Sequence, residues 1–210
     1  MATYDCSDPD QRESGLKAAE TAARSGNLVV MPTDTVYGIG ADAFNARAVG
    51  DLLAAKGRGP DMPVPVLVGS WSTIDGLAAA VSDDARTLIE AFWPGGLSLV
   101  IRQASSLAWN LGDTNGTVMV RMPMHPVALD LLRAVGPMAV SSANRSGQPP
   151  ATTAAAAKAQ LGGDVAVYLD GGTAPVGVAS TIVDLSGAAP KVLRAGAVAL
   201  DKIRKVIDLP

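Results

Sequence analysis

The chain has almost none of the side chains that do most metal and redox chemistry. Its 210 residues include one cysteine, Cys6, and one histidine, His125. A lone thiol forms no internal disulfide, which fits a reducing compartment. Cys6 has no histidine near it in sequence and reads as a bystander. Without a Cys/His cluster there is no basis for a zinc site, and no metal-ligating residues are assigned. No G-x-x-x-x-G-K-[ST] is present, so a Walker P-loop is excluded. Aromatic residues make up 4% of the chain against 48% hydrophobic, so the core must be built from Ala, Val and Leu. A basic excess is missing too. The net charge is −3, with no global field to gather nucleic acid. No apolar run approaches the roughly 20 residues of a membrane span. Met1 to Asp10 carries acids and no apolar stretch, unlike a signal peptide. The expectation is a cytoplasmic protein with no membrane partner.

What is present alternates strand and helix signals along the whole length. The length fits one domain over residues 1–210. Asp8-Pro9 predicts a capped helix through Arg24, ended by Gly26. Strands are expected at 28–31, 36–41 and 64–68, with a helix from Asn45 to Ala55 between the last two. Ser82 opens a helix that stops at Trp93-Pro94-Gly95-Gly96. Strands follow at 97–101 and 117–121, then a helix from His125-Pro126 through Val135, then a strand over 137–140. Thr152 or Thr153 caps an alanine-rich helix. Strands over 165–169, 181–185 and 191–194 and a helix over 200–206 complete the chain. This interleaving predicts an α/β fold. The late strands with no helix between them predict a mixed parallel and antiparallel sheet.

Three segments carry candidate chemistry. Pro32-Thr33-Asp34-Thr35 follows a strand and brings three short oxygen side chains together, as a turn or as a ligand loop. The next residues, Gly38-Ile39-Gly40-Ala41-Asp42-Ala43, fit a loose G-x-G-x-x-G/A. Their glycines lie six residues beyond the strand and short of the next helix, which argues against a dinucleotide fold. Lys56 and Arg58 close a helix. Cations there complement the helix end, and a pair pointing one way also suits phosphate, with lysine as point charge and arginine as fork. Ser141-Ser142-Ala143-Asn144 follows a strand, where ligands bind in open α/β sheets. No Gly-x-Ser-x-Gly elbow surrounds these serines and His125 stands apart, so a Ser-His hydrolase is excluded. Arg121 and Arg194 each close an apolar strand, either on the surface or facing one cleft.

The stretches PTDTVYGIGADA, KGR, WPGGLSLV, TVMVRMPMHP, SSANRSGQP, DGG, ASTIVDL and VLRAG, in that order, resemble the YrdC-like family of threonylcarbamoyl-AMP synthases. The resemblance spans about 27–204 and looks like the single-domain form. It implies a twisted mixed sheet with flanking helices around a concave cleft. It also implies a nucleotidyltransferase that turns L-threonine, bicarbonate and ATP with Mg2+ into threonylcarbamoyl-adenylate and pyrophosphate. That product serves N6-threonylcarbamoyladenosine formation in tRNA, through a separate transferase complex. Carried over by motif, Lys56 and Arg58 contact phosphates and carry the catalytic charge neutralisation. Thr117, Ser142, Asn144 and Arg194 are nucleotide-side, and Thr33, Arg121 and Ser180 are threonine-side. The Lys56 ammonium is expected to stand exposed until ATP arrives. Gly59, Met62 and Ala179 depart from the family pattern near these ligand positions. A rival reading keeps the fold but makes the concave face an RNA-binding or ribosome-maturation surface. The charge argues against that rival and for at most weak RNA binding.

Overall fold

Side-chain caps set the helix starts. In the computed structural model, which describes residues 1–209, the elements run β1 (Ala2–Asp5), α1 (Pro9–Arg24), β2 (Val29–Met31), β3 (Gly38–Asp42), α2 (Ala46–Lys56), β4 (Val66–Leu67), α3 (Ile74–Leu77), α4 (Asp83–Phe92), β5 (Leu97–Arg102), β6 (Thr117–Arg121), α5 (Pro126–Val135), β7 (Met138–Ser142), α6 (Ala154–Leu161), β8 (Val167–Asp170), β9 (Thr181–Asp184), β10 (Lys191–Arg194) and α7 (Leu200–Ile203). Asp8 accepts from the Asp10 and Gln11 N–H groups, and Pro9 needs no partner for its nitrogen. Asn45, Ser82 and Thr153 each accept a first-turn N–H in the same way. Helix α2 ends at Gly57 in the left-handed region, φ 66°.

All ten strands join one sheet, in the order β1-β8-β2-β3-β7-β4-β6-β5-β9-β10. Pairings are mixed as expected. β2/β3, β3/β7, β4/β7, β5/β6 and β9/β10 are antiparallel, and β1/β8, β2/β8, β4/β6 and β5/β9 are parallel. The late strands part company, however. β9 and β10 pair with each other, whereas β8 inserts at the far side between β1 and β2.

Strand alternation sorts the apolar residues onto two faces. On one face Ala19, Ala22 and Ala23 of α1 and Val127, Ala128, Leu131 and Leu132 of α5 pack on Val29, Met31, Leu67, Met138, Val140, Val167 and Leu169. On the other, α2 and α4 pack Leu52, Leu53 and Leu88 against Val30, Ile39, Leu97, Leu99, Val118 and Val120. Among the described residues the α1/α5 layer takes in nothing from β5, β6, β9 or β10. That half of the face stays open, and its pleat-related residues Ser98, Met119, Arg121 and Ile182 line a cleft.

Three features depart from expectation. β1 was not anticipated, because its four residues alternate half-buried with exposed side chains and carry little apolar character. The expected strand over 64–68 shrinks to Val66–Leu67, since Pro63 and Pro65 have no N–H to give a ladder. A short helical stretch over 71–77 had no periodic signal.

Candidate active site

The loop between β2 and β3 places the first set of functional oxygens. The two strands form an antiparallel pair, so no helix follows the loop and Gly38 lies inside a strand. A Cβ at Gly38 would stand 2.6 Å from Val140 Cγ1. This glycine allows close packing of β3 on β7 and lines the cleft, but it opens a strand and not a strand–helix turn, which removes the dinucleotide pattern as a functional signal.

The cleft has a volume of about 420 Å³, within the range of small-molecule sites. Thr33, Arg58, Arg121, Ser142, Asn144, Ser180 and Arg194 all line it, with Thr35, Ser98 and Ser141. Among the described residues three arginines and no carboxylate face it, so it presents concentrated positive charge on an acidic protein.

At one end the Thr33 hydroxyl donates to Val36 O at 2.6 Å and sits 3.0 Å from Thr35 Oγ1. Arg121 is buried, and its Nε donates to Gly95 O at 2.8 Å. Its Nη1 donates to Thr35 Oγ1 at 2.8 Å and its Nη2 to Asp34 Oδ1 at 2.5 Å. Burial pulls this guanidinium below its usual range, and the Asp34 carboxylate opposes that pull. A guanidinium has more N–H groups than these three contacts use, so a face remains for a ligand. Asp34 also accepts from Met124 N at 2.8 Å, which fixes the entry to α5.

Alongside, Ser180 Oγ lies 2.9 Å from Ser98 Oγ, and Arg194 donates to Ser180 O at 2.9 Å and to its Oγ at 3.1 Å. At the other end Arg58 Nη1 donates to Ser141 Oγ at 3.2 Å, while its Nε is buried without a partner. Asn144 is buried. Its Nδ2 donates to Arg145 O and Gln148 O, and its Oδ1 has no partner.

Two expected residues sit elsewhere. Lys56 is 1% exposed and does not line the cleft. Its Nζ donates to the main-chain oxygens of Ser142 and Asn144. The expectation of an ammonium exposed until ATP arrives is therefore corrected: helix α2 drives the side chain under the loop after β7. Thr117 opens β6 at the end opposite Arg121, where its hydroxyl donates to Thr114 O at 2.7 Å, and it does not line the cleft. Asp34, Thr35 and Ser141 belong to segments that the sequence marks as candidate ligand loops, whereas no motif reading singles out Ser98. Only the period of two on β5, read against Leu97 and Leu99 in the core, marks Ser98 as facing outward.

Among the described residues no group of three or more His, Cys, Asp or Glu gathers to hold a metal. With hydroxyls, an amide and arginines as its donor set, the cleft fits Mg2+ only as a cation carried in on nucleotide phosphates. No helix among the described residues is long and apolar enough to cross a membrane.

Comparison with known proteins gives a consistent picture. Residues 21–196 match the Sua5/YciO/YrdC family model, described as "Telomere recombination". A Mycobacterium tuberculosis protein provisionally named threonylcarbamoyl-AMP synthase is 63% identical over 207 residues, covering 99% of this chain and 95% of the relative. The Bacillus subtilis threonylcarbamoyl-AMP synthase is 39% identical over 194 residues, which are 91% of this chain and 56% of that longer protein. The crystal structure of P. abyssi Sua5 complexed with L-threonine superposes with a TM-score of 0.89 at 37% identity, covering 93% of this chain and 58% of that one. An open mixed sheet, an arginine-lined cleft between its uncovered strands, and these matches lead to one statement: the chain belongs to the Sua5/YciO/YrdC family.

Proposed function

We infer that the chain is a threonylcarbamoyl-AMP synthase, an enzyme of the nucleotidyltransferase type. One observation carries the reading: a single cleft joins an arginine-rich, carboxylate-free region to a buried Thr33–Asp34–Arg121 cluster. The first suits a triphosphate and the second an amino acid. The threonine amine captures bicarbonate or CO2 as a carbamate. A carbamate oxygen then attacks the α-phosphorus of ATP, the α–β phosphoanhydride bond breaks, and pyrophosphate leaves. The net change is L-threonine, bicarbonate and ATP to threonylcarbamoyl-adenylate, pyrophosphate and water.

The chain's residues act by alignment and charge rather than by a tuned acid–base pair. The unused face of Arg121 holds the threonine carboxylate, with Thr33 and Ser180 beside it. Arg58 and Arg194 hold phosphate oxygens, and Ser142 and Asn144 complete the nucleotide side. Mg2+ carried in on the triphosphate would supply further charge neutralisation beside Arg58 and Arg194. The product feeds N6-threonylcarbamoyladenosine formation in tRNA through a downstream transferase complex, in the cytoplasm. We read residues 1–210 as one YrdC-like domain.

The test is pyrophosphate release with ATP, Mg2+ and L-threonine, serine or valine, with and without bicarbonate. Serine lacks only a methyl, which an apolar pocket reads at about 1–3 kcal/mol, so it should be a poor but detectable substrate. Valine lacks the hydroxyl and leaves a buried polar group unpaired, so it should be rejected more strongly. Equal rates for all three, or no dependence on bicarbonate, would sink the assignment.

A further inference from the structure

Lys56 is almost completely buried although it is the last residue of a helix. Its ammonium donates to Ser142 O and, at 2.6 Å, to Asn144 O, and its own main-chain oxygen accepts from Ser146 N at 2.8 Å. Both ends of the residue are thus tied to the end of β7 and the loop that follows it. An ammonium enclosed in this way has no surface to offer a phosphate in the cleft. Arg58, two residues on, does line the cleft.

The loop that Lys56 holds carries Asn144, which is 4% exposed and also lines the cleft. Its Nδ2 donates to Arg145 O at 2.9 Å and to Gln148 O at 2.8 Å. A flipped amide would set its oxygen against both carbonyls, so the orientation is fixed. Asn144 Oδ1 is left buried with no partner, a state that is costly unless a ligand completes it. An acceptor gains nothing from an ionised phosphate oxygen, which has no proton to give. It needs a hydroxyl or an amine, and a nucleoside carries both.

We propose that Lys56 is a positioning residue that does not touch the nucleotide: its ammonium ties the Ser142–Asn144 loop to α2, so that the Asn144 side-chain oxygen receives a hydrogen bond from the nucleoside part of ATP. The geometry stands by itself, while the consequence for ATP rests on the reading under Proposed function.

Two measurements test it. The first uses the unaltered protein. Acetic anhydride labelling read by mass spectrometry should leave Lys56 unmodified, with or without ATP, at a dose that modifies the exposed Lys191. Modification of Lys56 in the free protein, relieved by ATP, would overturn the proposal. The second is calorimetric titration of AMP and of ATP with Mg2+ into the wild type, Lys56→Met, Asn144→Ala and Arg58→Gln. Lys56→Met and Asn144→Ala should weaken AMP and ATP by the same factor, about tenfold, as befits one lost hydrogen bond. Arg58→Gln should weaken ATP more than AMP. In Lys56→Met the KM for ATP should rise while the KM for L-threonine holds. Loss of ATP affinity in Lys56→Met with AMP unchanged would make Lys56 a phosphate ligand and refute the proposal. If the wild type binds neither nucleotide, the ATP reading fails, and the labelling result still decides whether Lys56 is enclosed.

Discussion

Two buried cations in this chain are held by different kinds of partner. Arg121 faces the Asp34 carboxylate at 2.5 Å with both side chains nearly inaccessible. Removing one member of such a pair leaves an uncompensated charge, at a cost of about 3–5 kcal/mol. Asp34→Ala should therefore lower the urea midpoint strongly as well as abolish activity. A variant as stable as the wild type would show that Arg121 is solvated in the fold. Lys56 has only carbonyl oxygens, and burial together with the nearby Arg58 charge pushes its ammonium down to about 7. In the unfolded chain the same group titrates near 10.5. Between these values the unfolded state binds more protons, so stability must rise with pH. The cost of enclosing the charged form is full below pH 7 and is relieved as pH climbs. Cys6 works the other way. Burial raises its thiol to about 11 from 9.0, so stability drains from about pH 9 upward. The window in which Lys56 dominates is thus pH 7 to 9. Urea midpoints should increase across it in the wild type and stay flat in Lys56→Met. A slope unchanged by the substitution would assign it to another group.

At the scale of elements, the sequence announces what local chemistry controls and hides what the sheet decides. Asp8, Asn45, Ser82 and Thr153 mark helix starts because a short oxygen beside the first turn acts on its own neighbours. β6 and β10 fall on their expected residues because their apolar runs are sharply bounded. β8 is different. Nothing in its sequence says that it pairs with β1 and β2 rather than with β9, since partner choice is set by packing across the whole sheet. For the site, Thr33, Arg121, Ser180 and Arg194 were legible through motif resemblance. The burial of Lys56 was not, because it depends on where a loop some 86 residues away comes to rest. Gly38 shows the same dependence on packing. Its missing Cβ makes room for Val140 Cγ1 on the neighbouring strand. Gly38→Ala should cost about 1–3 kcal/mol through overpacking. Adding Val140→Ala should recover part of that loss if the clash is local. A double variant no better than the sum of the two singles would mean that the glycine is needed for another reason.

Charge at the scale of the whole molecule separates a small polyanion from a long one. The protein carries a net charge of −3, yet its cleft gathers Arg58, Arg121 and Arg194 with no acid among them. Asp34 already neutralises Arg121 from behind. Among the described residues Arg58 and Arg194 form no ion pair, and both face the same cavity of about 420 Å³. Most of the other arginines are spoken for: Arg12, Arg24, Arg47, Arg86, Arg133 and Arg145 each lie against a surface carboxylate. The positive field is therefore deep and small. A triphosphate fits such a field, whereas an RNA strand would have to cross a surface on which most arginines are already countered. Each phosphate neutralised on a single strand adds about −0.7 to the slope of log K against log salt. A strand held only by the two or three arginines of the cleft then gives a slope no steeper than about −2. The measurement is fluorescence anisotropy of a labelled single-stranded RNA across a salt series, with ATP as competitor. A shallow slope, with binding lost as ATP fills the cleft, is the expected outcome. A slope steeper than about −4 would require cations outside the cleft to engage the strand. It would turn the concave face into an RNA surface and leave the nucleotide site as its minor part.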